Sequence, residues 1–247
     1  MASEGLGALV ATLAACVPAS ASRRLQKAAA GSAQRLAQIA LASPVLARRV
    51  AEVPGALTVL VTAVAAAGAS SKHSAGALCF ITQASPGLAR RVSELPGALP
   101  VLVGAVGGGG GEESSSAGSA AALADITKDP GLARRVAEVP GGLHALVGGV
   151  SAGGETEVES VAALVNIAEA GPGLAQRMDE VPGALRALVA AVAAGKDAAL
   201  DSVATLVLIA RADPGLARRM AEAPGALLAL GGAVAAGGDV ASSSAAG

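Results

Sequence analysis

Two histidines, two cysteines and two glycine-rich stretches are the places where this chain could do chemistry. His73, read as a loop residue, and His144, on a helix, could carry protons or bind metal. They occupy unrelated positions, however, and neither has a nucleophile beside it in sequence, so a surface role fits both. Cys16 and Cys79 lack the spacing of a metal or redox pair, and two cysteines cannot staple a secreted domain, which implies a reducing compartment. Gly107 to Gly111 has the glycine content of a phosphate loop but not the Lys and hydroxyl residue that must follow it. In Ala194-Gly195-Lys196-Asp197 an Asp stands where that hydroxyl belongs. No catalytic residue, metal site or cofactor is expected.

The charged residues form a pattern. Arginines pair at Arg48 with Arg49, Arg90 with Arg91, Arg134 with Arg135, and Arg218 with Arg219, while Gln176 and Arg177 hold the equivalent place in one copy. Glu52, Glu94, Glu138, Glu180 and Glu222 follow the first member of each pair by four residues, the spacing of an ion pair on a helix. One reading is a solvated, self-neutralised face. The other is a basic ridge of Arg48, Arg90, Arg134 and Arg218 that attaches to an anionic surface such as RNA or acidic lipid. Arginine precedes glutamate, an order opposed to the helix macrodipole and worth a few tenths of a kcal/mol less than its reverse. A partner docking on the ridge explains that order, and so does duplication of one ancestral unit.

These residues are positioned by a repeat. The string Pro-x-Leu-Ala-x-Arg-x-x-Glu-x-Pro-Gly-x-Leu begins at Pro44, Pro86, Pro130, Pro172 and Pro214, at spacings of 42, 44, 42 and 42. Each copy predicts three helices. Pro opens the first, where its missing N–H costs nothing, and Leu46, Val50 and Val53 make one apolar stripe. The Pro-Gly pair ends it. A second helix carries Leu-x-x-Leu-Val-x-x-Val, as in Leu57, Leu60, Val61 and Val64, and Gly231 breaks the pattern in the last copy. A third contains Leu-x-x-Ile, and all five isoleucines, Ile39, Ile81, Ile126, Ile167 and Ile209, occupy its one slot. In a chain of 64 Ala and 33 Gly, a retained β-branched residue marks a packing constraint on shape. Helices with one stripe each must bury it against neighbouring copies.

Composition removes other classes. The 247 residues carry 18 basic and 19 acidic groups, net charge −1, with 15% charged, which excludes charge-driven disorder and a basic nucleic-acid binder. One Phe and no Trp or Tyr leave no stacking platform for single strands. Val53 to Ser71 runs 19 residues without a charge, long enough to span a bilayer. It contains Pro54, Gly55 and Gly68, and its counterpart from Val181 carries Arg186, so a helix pair and no membrane span is expected. Leu6 to Cys16 mimics a signal peptide, but Glu4 precedes it where positive charge belongs. Ser20, Ser22, Arg23, Arg24 and Lys27 leave an organelle transit peptide open. Gly5, Leu6, Leu9, Val10 and Leu13 also fit the second-helix pattern, which makes this stretch half a repeat followed by a loop about nine residues longer than usual.

The period, the short first helix, the Gly-x-Leu-x-x-Leu-Val second helix and a third helix reading Ala-Leu-x-x-Ile-Ala together resemble the armadillo repeat family. Ala163, Leu164, Val165, Asn166, Ile167 and Ala168 carry the third-helix likeness, and Gly97, Ala98, Leu99 and Pro100 that of the second-helix start. The likeness covers roughly residues 5 to 240. It implies an all-α, right-handed α-solenoid of three-helix units, with HEAT-type solenoids as the alternative. The chain reads as a single repeat domain over 1–247: a partial repeat and loop at 1–31, modules at 32–73, 74–118, 119–158, 159–200 and 201–240, and a tail at 241–247. Pro-Gly stands where the family usually has Ala-Gly. Neither end shows a polar cap, which suggests a fragment of a longer repeat protein, an incomplete gene model, or self-association through uncapped ends.

The resemblance also implies a function: a non-catalytic protein-protein interaction scaffold in the cytoplasm or nucleus, which holds an extended segment of a partner in a groove of third helices. The slot before each isoleucine holds Gln38, Phe80, Asp125, Asn166 and Leu208, and only Asn166 matches the family's peptide-gripping Asn. Four residues earlier, where peptide-binding relatives carry Trp, stand Gln34, Gly76, Ala121, Ala162 and Ala204. Three residues beyond the slot lie Leu41, Gln83, Lys128, Glu169 and Arg211, giving a groove of no single sign. Phe80 is its aromatic candidate, either a binding hot spot or a filler between units. The family analogy leaves a fragment of a larger adaptor, such as a ubiquitin ligase, as a further alternative.

Overall fold

The computed structural model describes residues 2–16, 23–108, 113–195 and 198–212, together with Gly215 and Arg218. These residues form helices and turns, with no strand among them. First helices are α3 (Pro44–Glu52), α6 (Pro86–Glu94), α9 (Pro130–Glu138) and α12 (Pro172–Asp179). Second helices are α1 (Ala2–Cys16), α4 (Ala56–Ala65), α7 (Ala98–Gly107), α10 (Gly142–Ala152) and α13 (Ala184–Ala194). Third helices are α2 (Arg23–Ala42), α5 (Ser71–Ala84), α8 (Glu113–Thr127), α11 (Gly154–Glu169) and α14 (Ala199–Ala212). The final copy, from Asp213 on and including Gly231 and Glu222, lies outside the described residues apart from Gly215 and Arg218.

Local chemistry sets the boundaries of each unit. Proline sits in the first turn of every first helix, behind a side-chain cap in three of the four: Ser43 Oγ accepts from Val45 N, Ser85 Oγ from Leu88 N, and Asp129 Oδ1 from Gly131 N at 2.8 Å. The Pro-Gly pair closes a type II turn. Ala98 N donates to Leu95 O at 3.1 Å across Pro96 and Gly97, and Gly97 has φ 76°, a conformation that strains any residue with a Cβ. The same turn recurs at Gly55, Gly141 and Gly183.

The units stack. Each third helix packs on its neighbours in the order α2, α5, α8, α11, α14, and the second helices α4, α7, α10 and α13 form a parallel row. Leu78, Ile81, Leu123, Ile126, Leu164, Ile167, Leu206 and Ile209 are fully buried between these rows. Ile39 is the exception among the five isoleucines: it is half-buried, because no described third helix precedes α2 to cover it. Close approach is allowed by small residues. A Cβ built on Gly118 of α8 would meet Ala75 C and Gly76 N of α5 at 2.9 Å.

The structure corrects several expectations. His73 lies in the first turn of α5, not in a loop. Part of the long loop expected after the N-terminal half unit is helical, since α2 begins at Arg23. The module starts at 32, 74, 119, 159 and 201 fall inside α2, α5, α8, α11 and α14. These helices begin in sequence that lacks an apolar stripe, ahead of the repeat boundaries drawn from periodicity. The uncharged run from Val53 to Ser71 divides into a turn, α4 and a loop, and no described helix is long and apolar enough to cross a membrane. Leu6 to Cys16, weighed as a signal peptide and as half a repeat, lies in α1, whose Leu6, Val10 and Leu13 are buried in a helix that packs on α2 and α4. Ser20 and Ser22 of the transit-peptide reading lie outside the described residues, and Arg23, Arg24 and Lys27 are in α2.

Candidate functional site: the third-helix surface

The stacked third helices bring the sequence-predicted positions into a row. Gln34, Gln38, Gln83, Lys128, Glu169 and Arg211 are exposed, while Phe80, Asp125, Asn166 and Leu208 are half-buried. Phe80 and Leu208 rest on the edge of the core. The polar members at the centre do more than face outward. Asp125 Oδ1 pairs with Lys128 Nζ at 2.7 Å, and Asp125 Oδ2 accepts from Thr82 Oγ1 of the preceding third helix at 3.1 Å. The Asp125 side chain is only 8% exposed against 70% for Lys128, so the ammonium is the accessible half of the pair. Asn166 Nδ2 donates to Ala124 O at 3.1 Å and Thr127 Oγ1 at 3.2 Å, both on α8. Its two N–H groups therefore hold adjacent units together and are not available to grip a partner's backbone.

Charge on this surface is not evenly mixed. Glu159 of α11 is half-buried, and its carboxyl is raised above the ordinary value by burial first, then by the negative charges of Asp125 and Glu155, with Lys128 acting in the opposite direction. Three carboxylates and one ammonium thus act on one another electrostatically near the middle of the row, where the slot residues alone suggested no single sign. Cys79, buried beneath this patch on α5, has its thiol pushed up to about 12 by burial and then by the Asp125, Glu159 and Glu155 charges, which makes it an inert packing residue at neutral pH. Among the described residues no group of His, Cys, Asp and Glu could hold a metal ion.

The paired arginines do not make the expected bonds. Arg48–Glu52, Arg90–Glu94 and Arg134–Glu138 are not ion pairs, whereas Arg90–Asp129 and Lys128–Asp125 are. The first arginine of each pair reaches toward the end of the third helix that follows it in sequence: Arg48 to Ala84 O at 3.3 Å and Arg134 to Ala170 O at 3.1 Å, while Arg90 bonds the side chain of Asp129, the N-cap of α9, at 2.7 Å. Gln176 Nε2 reaches Ala212 O as Arg48 and Arg134 reach their carbonyls. The second arginine reaches back to the preceding first helix: Arg91 to Ala51 O, Arg135 to Ser93 O and Arg177 to Ala137 O, at 2.9–3.1 Å. Carbonyls in a last helical turn lack intrahelical partners and sit at the negative end of the macrodipole, so a guanidinium there satisfies both needs. The Arg90 contact also holds the Asp129 carboxyl below its usual range, together with the N–H groups of Leu132 and Gly131. The ridge is a seam between units, which accounts for its charge order without an external partner.

Arg135→Ala accordingly lowers stability by about 1 kcal/mol, the worth of a charge-assisted bond discounted for partial exposure. Glu138→Ala, which would cost a similar amount if Glu138 were ion-paired to Arg134, does not lower the thermal midpoint. Paired melts of the two variants check this.

The helical repeat architecture is shared with solved structures. A computationally designed armadillo repeat protein for modular peptide recognition is 26% identical, with a TM-score of 0.69 over 83% of this chain and 82% of that one. A designed armadillo repeat protein in complex with the peptide (KR)4 is 25% identical, with a TM-score of 0.70 over 91% and 89%. The chain has the armadillo repeat fold. An armadillo-repeats-only protein from Plasmodium falciparum shares the armadillo fold at 18% identity, with a TM-score of 0.62 over 74% and 80%. No protein-family model and no curated protein matches the sequence. Armadillo repeat folds are typically non-catalytic scaffolds.

Sequence reasoning missed one recurring feature of the repeat. Ser32, Ser74, Ser119, Ser160 and Ser202 stand seven residues before each isoleucine and are all buried, and the hydroxyls of the last four have no hydrogen-bond partner. The fixed offset was visible, but small residues in an Ala- and Gly-rich chain carry little contrast. At Gly149 of α10 the backbone passes so close to the Ser160 side chain that no Cβ fits, so this slot is small where second and third helices cross. Glu155 and Glu159 were missed because they precede the Leu-x-x-Ile pattern that marked the helix.

Proposed function

We propose that this armadillo repeat chain is a protein-binding scaffold whose third-helix surface holds an extended, cationic segment of a partner protein. The observation that carries this reading is the excess of carboxylates, Asp125, Glu155 and Glu159 against Lys128, whose charges raise the Glu159 carboxyl beyond the effect of its burial. A lysine or arginine side chain placed there relieves that repulsion. Flanking contacts come from Gln38, Phe80 and Gln83 on one side and from Glu169, Leu208 and Arg211 on the other. Support comes from the designed armadillo protein that carries (KR)4. With the Asn166 N–H groups engaged inside the chain, recognition rests on side chains more than on the partner's backbone.

A labelled (KR)4 peptide provides the test by fluorescence anisotropy. The wild-type chain binds it, Asp125→Arg weakens binding at least tenfold, and Arg211→Glu leaves it unchanged or tightened, while circular dichroism stays helical. Absence of binding, or equal affinity in the Asp125→Arg variant, would reject the reading.

A further inference from the structure

Along the opposite edge of each unit, where first helix turns into second, the surface is indented between successive Pro-Gly turns. A cleft of about 340 Å³ carries Glu52, Glu94 and Arg91, and a cleft of about 310 Å³ two units further on carries Glu138, Glu180 and Arg177. By register, Glu94, Arg135 and Glu138 form the member between them. The walls are apolar: Pro54, Leu57 and Leu95 in the first cleft, and Pro140, Leu143 and Pro182 in the second.

Charge in these clefts is not balanced from within. Arg91 and Arg177 are bonded to Ala51 O and Ala137 O. Glu52, Glu94, Glu138 and Glu180 make no ion pair or side-chain hydrogen bond with any described residue. All four stand at the C-terminal ends of first helices, where the macrodipole disfavours a carboxylate; the guanidinium at the ends of α3, α6 and α9 is bonded to a backbone carbonyl and makes no ion pair with these glutamates. Each cleft thus sets two unpaired carboxylates and two helix C-termini against one guanidinium already engaged. A long cationic side chain complements this surface, its stem on the proline and leucine wall and its head at the carboxylates.

The geometry points to this edge as a second interaction surface, separate from the third-helix row, which takes the lysine or arginine side chains of an extended protein segment, one per cleft. Neighbouring packed helices lie about 8–10 Å apart, and a polyproline II segment advances about 9 Å in three residues. The fitting partner therefore carries a cation at every third position, unlike the dense (KR)4 sequence. This inference does not rest on the third-helix reading, because the two surfaces share no residue.

A fluorescein-labelled peptide of five Lys-Pro-Pro triplets, titrated by anisotropy at low ionic strength, is the probe. Glu94→Gln combined with Glu138→Gln alters every described cleft of the row and weakens binding tenfold or more without lowering the melting midpoint, and Asp125→Arg leaves the affinity unchanged. A peptide of the same composition with its lysines in one block binds several-fold more weakly. The inference is overturned if wild type fails to bind, if the double variant binds as wild type does, if Asp125→Arg causes the same loss, or if the block peptide binds equally well.

Discussion

Replacing Ile126 by alanine lowers stability by about 2–5 kcal/mol, the usual cost of a truncation that leaves a cavity at a fully buried site. Ile126 is 0% exposed and lies in the row formed by Ile81, Leu123, Leu164 and Ile167. At about 3 °C per kcal/mol for a chain of this size, the midpoint falls by roughly 6–15 °C. The loss is not confined to α8. In a stack of units stabilised by nearest-neighbour contacts, weakening one junction lowers the opening energy of both units that share it, so hydrogen exchange accelerates together in α5, α8 and α11. Ile39→Ala, in the same slot but only half-buried, costs far less. Equal losses at the two positions would mean that the slot is not an interface between units.

Gly118→Val produces the second large effect. A Cβ at this position meets backbone atoms Ala75 C and Gly76 N at 2.9 Å, and neither can move without shifting α5. Overpacking of this kind costs about 1–3 kcal/mol or more, against roughly 0.5 kcal/mol gained by removing a mid-helix glycine, so the steric term wins. Because α5 and α8 carry Phe80, Asp125 and Lys128, the displacement also moves the third-helix surface, and (KR)4 binding falls with stability. Gly104, within α7, has open space around it. There only helix propensity acts, and Gly104→Ala raises stability by about 1 kcal/mol. Thermal melts of the two variants separate close approach from backbone freedom.

The architecture was readable from the prolines, the Pro-Gly turns and the isoleucine slot, because each marks a strong local constraint: a fixed φ, a left-handed turn residue or a shape requirement in the core. Third-helix starts were not, since Ser71, Glu113 and Gly154 open helices in sequence with no apolar stripe to announce them. The placement of the candidate surface was legible only in outline. Gln38, Phe80, Asp125 and Asn166 were placed on one surface by their spacing from isoleucine, yet spacing does not show that Asn166 spends its N–H groups on α8 or that Asp125 is tied to Thr82. Reach across units misled the reading of the arginines too. Within one helix Arg134 and Glu138 look like partners, but a neighbouring helix end offers the guanidinium a carbonyl that lacks any other donor.

Removal of one whole unit tests the stacked architecture most directly. Deleting residues 131–172 joins Pro130 to Gly173 at equivalent points of the 42-residue repeat. If each unit leans only on its neighbours, the shortened chain remains helical per residue and melts in one cooperative transition at a somewhat lower temperature by circular dichroism. A chain that instead loses its helical signal or its cooperative transition would show that the core is a single indivisible one, contrary to the solenoid described here.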